Sequence, residues 1–109
     1  MPEVTVERRN ASRYPMVLGA DVVELPRGAR LSARTSDISL SGCYIDTLNP
    51  IPVGSNVRLR VTHNNENFEA VGCVVYVSYG LGMGIVFTKV EEEERARLRR
   101  RIDARDSEF

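Results

Sequence analysis

Hydrophobic and polar positions alternate along most of residues 15–87. The run NVRLRVTH is the clearest case, because Val57, Leu59 and Val61 would share one face of an extended strand and polar side chains the other. Similar runs rich in Val, Ile, Tyr and Thr are YPMVLGADVVEL, ARLSARTSDIS, GCYIDTL, FEAVGCVVYVS and YGLGMGIVF. Turn-forming stretches separate them: PRG, NPIPVGS and HNNEN. The pattern predicts six short strands.

The periodicity changes after the last of these strands. Thr88 followed by Glu91 matches a capping box, and the run EEEE followed by RLRRR matches the charge preference of a helix dipole. We therefore expect a helix over residues 89–105. Its apolar seam would be narrow, at Val90, Leu98 and Ile102.

The chain has 109 residues, enough for one hydrophobic core. Six strands of this spacing followed by one helix predict a single, mainly β domain, built as a small barrel or sandwich. We divide it into a flexible N-terminal arm at 1–14, the strands and helix at 15–105, and a tail at 106–109.

Fifteen basic and fifteen acidic side chains give a net charge of zero. Such a chain has no long-range field that favours DNA, RNA or an anionic membrane, so we expect none of these as partners. Two cysteines outside any CxxC pair predict buried thiols and no metal site. No run of about 18 apolar residues and no signal-peptide order is present, so we expect a cytoplasmic protein.

Two short motifs carry candidate binding chemistry. The stretch ERRNASRYP places Arg8, Arg9 and Arg13 within six positions, with no acidic residue after the first. Arg9 and Arg13 stand four apart, so a bent arm could grip one small anion from two sides. The stretch DISLSG places Asp37 and Ser39 two apart, on one face of a strand that continues through both, with Ser41 and Gly42 following near a turn. This second motif would offer a carboxylate and a hydroxyl side by side.

These two motifs, in this order, make the chain resemble the PilZ family of bacterial second-messenger receptors. The family signatures are Arg-x-x-x-Arg on an N-terminal arm and Asp/Asn-x-Ser-x-x-Gly on a strand; here they are Arg9 to Arg13 and Asp37 to Gly42. GMGIVF also resembles the family's closing strand, and the resemblance covers about residues 8–103. It implies a six-stranded antiparallel β-barrel with a C-terminal α-helix.

The resemblance also implies a function: a receptor for cyclic di-GMP that is not an enzyme, needs no cofactor and acts on an unknown downstream protein. Arg, Asp, Ser and Gly of the two motifs would form the ligand site, at Arg8, Arg9, Arg13, Asp37, Ser39, Ser41 and Gly42. Arginine suits this ligand, because its planar fork binds phosphate or guanine edges and stacks on bases. In the family, an Arg directly before the first signature accompanies binding of two intercalated ligands, so Arg8 implies two cyclic di-GMP per chain. Ordering of the arm would then be the signal.

Three other functions fit the sequence less well. A PilZ-like adaptor that binds protein and no nucleotide would not require the two intact motifs. A small nucleic-acid-binding barrel would call for interleaved aromatic platforms and a basic groove, and the chain has no Trp and no net charge. A hydrolase would need a nucleophile beside a histidine or a metal cluster, and the sequence indicates neither.

Overall fold

The computed structural model describes residues 13–107. Seven strands and one helix follow each other along the chain: β1 (Tyr14–Pro15), β2 (Gly19–Glu24), β3 (Arg30–Ile38), β4 (Gly42–Asp46), β5 (Asn56–His63), β6 (Glu66–Ser78), β7 (Gly82–Lys89) and α1 (Glu92–Ser107).

Strands β2 to β7 form a closed antiparallel barrel. Their neighbours run in the order β3, β2, β5, β6, β7, β4, and β4 pairs back onto β3 to close the ring. The predicted six-stranded barrel with a C-terminal helix is therefore confirmed. The short β1 is an addition to it, which pairs with the last two residues of β3. Closure leaves every long strand paired on both sides.

The barrel interior is filled by the apolar side of each strand. Val57, Leu59 and Val61 of β5 are all buried, as the alternation in NVRLRVTH predicts. Other strands contribute in the same way, and the largest fully buried side chains include Ile38, Ile45 and Met83. The outer faces of the strands carry polar residues together with some apolar and aromatic ones, such as Val75 and Tyr76, and the site lies there.

The first predicted strand is in fact two strands, β1 and β2. Thr35 causes the interruption, because its buried hydroxyl donates to the carbonyl of Met16 at 2.6 Å and accepts from the backbone N–H of Leu18 at 3.0 Å. A side chain thus takes the place of regular ladder bonds between the two segments. A register shift between Thr35 and Asp37 accompanies it on the β4 side of β3.

The helix begins at Glu92, three residues later than predicted, and it continues to Ser107. The expected capping box is wrong, because Thr88 belongs to β7 and its hydroxyl donates to the carbonyl of Val71 at 3.2 Å. The first turn is closed instead by Glu91, whose carbonyl accepts from the N–H of Arg95 at 2.9 Å.

The apolar seam of α1 packs on the barrel as predicted. Leu98 and Ile102 are buried, and Val90 packs against the same core. The Glu94 carboxylate also accepts from the backbone N–H of Glu69 at 3.0 Å, which ties the start of the helix to β6. Within residues 13–107, no helix is long and apolar enough to cross a membrane, and no three His, Cys, Asp or Glu side chains are grouped to hold a metal.

Candidate functional site

An ion pair joins the two sequence motifs. The guanidinium of Arg13 donates three hydrogen bonds to the carboxylate of Asp37, from Nε to Oδ1 at 3.1 Å and from Nη2 to Oδ1 and Oδ2 at 3.0 and 2.9 Å. Such a fork is the geometry in which an arginine is held most firmly by a carboxylate. The last residue of one motif is thus fixed to the first residue of the other.

Strand pairing explains why these two residues meet although they lie 24 positions apart. Tyr14 pairs with Ile38 and Pro15 with Asp37, so the residue preceding β1 arrives beside the end of β3. Partial burial lowers the pKa of Arg13, but the hydrogen bonds to Asp37, its charge, and an interaction with Tyr76 raise that pKa by more. The guanidinium therefore remains a cation at any physiological pH.

Ser39 lies beyond the end of β3, in the turn to β4. The expected placement of Asp37 and Ser39 on one strand face is wrong, because β3 ends at Ile38. The Ser39 hydroxyl is buried and accepts from the backbone N–H groups of Ser41 and Gly42, at 3.1 and 3.2 Å. Its proton has acceptors within the same turn, on Gly42 and Ser41. Ser39 thus holds the turn in shape, with its hydrogen-bonding capacity used inside it.

Gly42 sits where two backbones approach closely. A Cβ at this position would collide with the backbone carbonyl oxygen of Ile85 in the neighbouring strand β7. We expected this glycine to allow a turn or the approach of a ligand to the backbone. Within the described residues, what requires it is the close contact of β4 with β7.

Two tyrosines form an aromatic shelf on the outer face of the barrel, Tyr44 on β4 and Tyr76 on β6. Their ring centres are 5.9 Å apart, and the Tyr76 side chain is about two-fifths exposed. Gly84 of β7 is the register partner of both. A Cβ on Gly84 would collide with the Tyr76 ring, and one on Gly82 would meet the Tyr44 ring. The shelf therefore exists because β7 presents two glycines between the rings.

A register shift between Val74 and Tyr76 turns the Tyr76 ring outward. Tyr76 lies outside both sequence motifs, so they do not predict it as a site residue. The signal that could have found it is the GLGMGI run, whose alternating glycines remove side chains from one face of a strand and leave room for a neighbour's ring.

A pocket of about 190 Å³ lies between these features. Its lining includes Arg13, Ser41 and Tyr76, with Cys43 at its apolar side. Burial raises the pKa of the Cys43 thiol to about 12; the negative charge of Asp37 adds to this, and the positive charge of Arg13 opposes it. Cys43 is therefore an unreactive core thiol, as the sequence predicts.

The structure thus brings together five of the predicted site residues: Arg13, Asp37, Ser39, Ser41 and Gly42. The two remaining candidates, Arg8 and Arg9, lie outside the described residues. Around a shallow pocket, the group offers one oriented cation, the exposed ring of Tyr76 and a serine hydroxyl. These groups suit a ligand with negative charge and flat aromatic rings.

A comparison with profiles of known protein families identifies the family of this chain. The profile of the PilZ domain matches residues 7–104. The chain belongs to the PilZ domain family. A search of curated protein sequences returns no significant match.

Solved structures share this PilZ fold at low sequence identity. The PilZ domain of CeSA from a cellulose-synthesizing bacterium is 16% identical, with a TM-score of 0.70 over 87% of this chain and 98% of that one. The PilZ domain of Escherichia coli YcgR, solved with c-di-GMP, is 17% identical, with a TM-score of 0.75 over 93% of each chain. A larger YcgR structure in complex with c-di-GMP gives 18% identity and a TM-score of 0.78, over 93% of this chain and 47% of that one.

Proposed function

We propose that this PilZ domain is a cytoplasmic receptor for cyclic di-GMP with no catalytic step of its own. The observation that carries the proposal is the fork between Arg13 and Asp37, which unites the two family motifs at the edge of a pocket. The E. coli YcgR domain, whose fold this chain shares, was solved with c-di-GMP. Both facts support cyclic di-GMP as the ligand of this chain.

The orientation of Arg13 supports a direct role in binding. Asp37 engages Nε and Nη2 of the guanidinium, and the Nη1 group takes no part in that pair. A planar guanidinium held along one edge presents its other edge and its faces to a ligand. We therefore assign phosphate or guanine contact to Arg13, and assign Asp37 the role of holding it in place.

The surrounding groups suit the remainder of the ligand. The exposed Tyr76 ring is a stacking surface for a guanine, next to the cation that would meet a phosphate. Ser41 lines the pocket and can offer its hydroxyl, whereas the hydroxyl of Ser39 is already engaged within the turn. In this assignment Ser39 and Gly42 act on the ligand by shaping the floor beneath it.

Isothermal titration calorimetry with cyclic di-GMP tests the proposal, with cyclic di-AMP as the matched control. Guanine carries an acceptor at O6 where adenine carries a donor, so an arginine-based site should prefer the guanine ligand. Saturable binding of cyclic di-GMP with weaker or absent binding of cyclic di-AMP is the expected result. Equal affinity for both, or heat from neither, would favour a PilZ protein that works as an adaptor through protein contacts alone.

We further propose that two cyclic di-GMP molecules bind per chain and that Arg8 serves the second. A second ligand enters a site that already holds two phosphate charges, so it depends most on an additional guanidinium. The wild type should titrate to two ligands per chain, and Arg8→Ala should lose mainly the second. The comparison is made at fixed ionic strength, because salt screens this repulsion. A wild-type stoichiometry of one would reject the role given to Arg8.

The signalling output that we propose is closure of the N-terminal arm, residues 1–14, over the bound ligand. Such an ordering step would create or hide a surface for a downstream protein. Hydrogen exchange of the arm with and without cyclic di-GMP measures it directly. Protection that rises in the arm on saturation supports the proposal, and an unchanged arm in a saturated complex would reject it.

A further inference from the structure

A second concave region lies on the outer face of β2, β3 and β5 and reaches Glu69 in the first half of β6; it shares no lining residue with the pocket beside the tyrosine shelf. It is a groove of about 400 Å³, and we call it the basic groove. Three arginines line it, Arg30, Arg58 and Arg60, with Val23, Leu25 and Leu31 between and beside the first two. The proposed function makes no use of any of these residues.

Strand register fixes how the two arginines are placed. Val23 of β2 is paired with Arg30 on one side and with Arg58 on the other. The three residues therefore form one row across three strands, on the same outer face. Since neighbouring strands are about 4.8 Å apart, the two arginine backbones are about 10 Å apart, with an apolar side chain midway.

Two acidic residues, Asp21 and Glu69, also line the groove, and Glu69 is in an ion pair. Glu69 accepts from Arg60 at 3.1 Å, and Asp21 accepts from the hydroxyl of Ser32 at 2.8 Å. Within residues 13–107, neither Arg30 nor Arg58 forms an ion pair. Both are exposed. The lining therefore has a net charge of +1, and its two arginines outside an ion pair, Arg30 and Arg58, flank an apolar floor.

The spacing of Arg30 and Arg58 matches that of side chains along one face of an α-helix. On an α-helix, side chains seven positions apart lie on the same face at a distance of about 10.5 Å, and the side chain three or four positions along lies between them. A helix with acidic residues at i and i+7 and a large apolar residue between would place a carboxylate at each arginine and an apolar group over Val23. In an extended strand, side chains three positions apart span about 10 Å but point to opposite faces.

We propose that the basic groove is a docking surface for an acidic amphipathic helix of a partner protein. The apolar floor favours this occupant over nucleic acid, because a phosphate backbone has no apolar side chain to cover Val23 and Leu25. The surface is formed by barrel strands already in place, so docking does not require cyclic di-GMP. The proposal therefore stands or falls separately from the receptor function.

The test uses two fluorescein-labelled synthetic peptides of equal composition, measured by fluorescence anisotropy without cyclic di-GMP. The ordered peptide carries glutamate at every seventh position and leucine between, on a helix-forming alanine background. In the dispersed peptide the glutamates are five positions apart and so point to different sides of the helix. The ordered peptide should bind about tenfold more tightly, since only it can engage both arginines at once.

Charge reversal locates the binding. Arg30→Glu and Arg58→Glu should each weaken the ordered peptide about tenfold. Arg34→Glu is the matched control, because Arg34 is an exposed arginine on the same strand as Arg30 and does not line the groove. A peptide with lysine in place of glutamate should bind the Arg30→Glu, Arg58→Glu double variant better than the wild type. Thermal unfolding checks that the variants fold, and the lysine peptide tests the double variant by a gain of binding.

Several results would overturn the proposal. Equal affinity for the ordered and dispersed peptides would mean unspecific attraction of charge. An equal loss with Arg34→Glu would place the contact elsewhere, and failure of the lysine peptide to prefer the double variant would remove the arginine row as its cause. Displacement of the ordered peptide by duplex DNA, added at a phosphate concentration equal to the glutamate concentration of the peptide, would mean that the groove binds nucleic acid instead.

Discussion

The variant Asp37→Ala separates the contribution of Asp37 to folding stability from its contribution to cyclic di-GMP affinity. The Arg13 side chain is 57% exposed and that of Asp37 24% exposed, so solvent screens the pair in the folded protein. Exposed ion pairs contribute about 0.2–1 kcal/mol to stability. Asp37→Ala should therefore lower the free energy of unfolding by no more than about 1 kcal/mol.

The effect on cyclic di-GMP binding should be larger. Without Asp37, Nε and Nη2 of Arg13 lose the carboxylate that orients them, and the ligand must do more to order the guanidinium that contacts it. The contact at stake is a charge-assisted hydrogen bond, worth about 1.5–3 kcal/mol. The dissociation constant should then rise by about 10- to 150-fold.

Two assays on the same protein preparation decide the matter: urea unfolding for stability and calorimetric titration for affinity. Arg100→Ala on the exposed side of α1 is the control, and it should leave both values near the wild type. Tighter binding by Asp37→Ala would refute the reasoning, because it would mean that Asp37 competes with the ligand for Arg13. A loss of affinity matched by an equal loss of stability would show that Asp37 supports the fold and not the site.

Three further predictions follow from the barrel itself. Gly42→Ala should lower the free energy of unfolding by about 1–3 kcal/mol, because its Cβ meets a backbone carbonyl of β7. Gly84→Ala should instead displace the Tyr76 ring and reduce cyclic di-GMP affinity more than stability. Urea unfolding and calorimetric titration of both variants check these two outcomes. The pKa of Cys43 is raised to about 12 from an ordinary 9.0, so the unfolded chain loses that proton at a lower pH than the folded protein does. Between these two pH values, the free energy of unfolding of the wild type should fall with rising pH more steeply than that of Cys43→Ala, by about 1.4 kcal/mol per pH unit. Urea unfolding measures both curves, and parallel curves would contradict the assigned pKa. Leu98→Ala should cost about 2–5 kcal/mol of stability in urea unfolding, and a loss below about 1 kcal/mol would mean that α1 does not depend on this contact.

Strand alternation was enough to predict a small barrel or sandwich, because a side chain's face follows from its position in a strand; the family resemblance then indicated the barrel. The burial of Val57, Leu59 and Val61 illustrates this. The limits of the strands were less predictable where a side chain replaces backbone bonds. Thr35 divides the first strand by bonding across the gap, and Thr88 bonds to β6 where a cap was expected. Both depend on which strands become neighbours, a property of the tertiary fold.

The same limit applies to the candidate site. The motifs predicted that Arg13 and Asp37 belong together, and the structure places them in contact. The motifs did not predict Tyr76, because its exposure depends on a register shift and on a glycine of the adjacent strand. Nor could spacing show that the hydroxyl of Ser39 is engaged in its own turn, since that depends on where β3 ends.

The two glycines of β7 beneath the tyrosine shelf also set a limit on improving this protein. A glycine inside a strand is less stable than an alanine there by about 0.5–1 kcal/mol, so Gly82 and Gly84 are positions that a thermostability screen would be drawn to replace. Their lack of a side chain is what leaves room for Tyr44 and Tyr76. A redesign guided by strand propensity alone would therefore damage this pocket, and at Gly82 the added Cβ would also collide with the backbone carbonyl oxygen of Ile45. A sensor engineered from this barrel would be better stabilised at α1, whose exposed face lies outside the pocket.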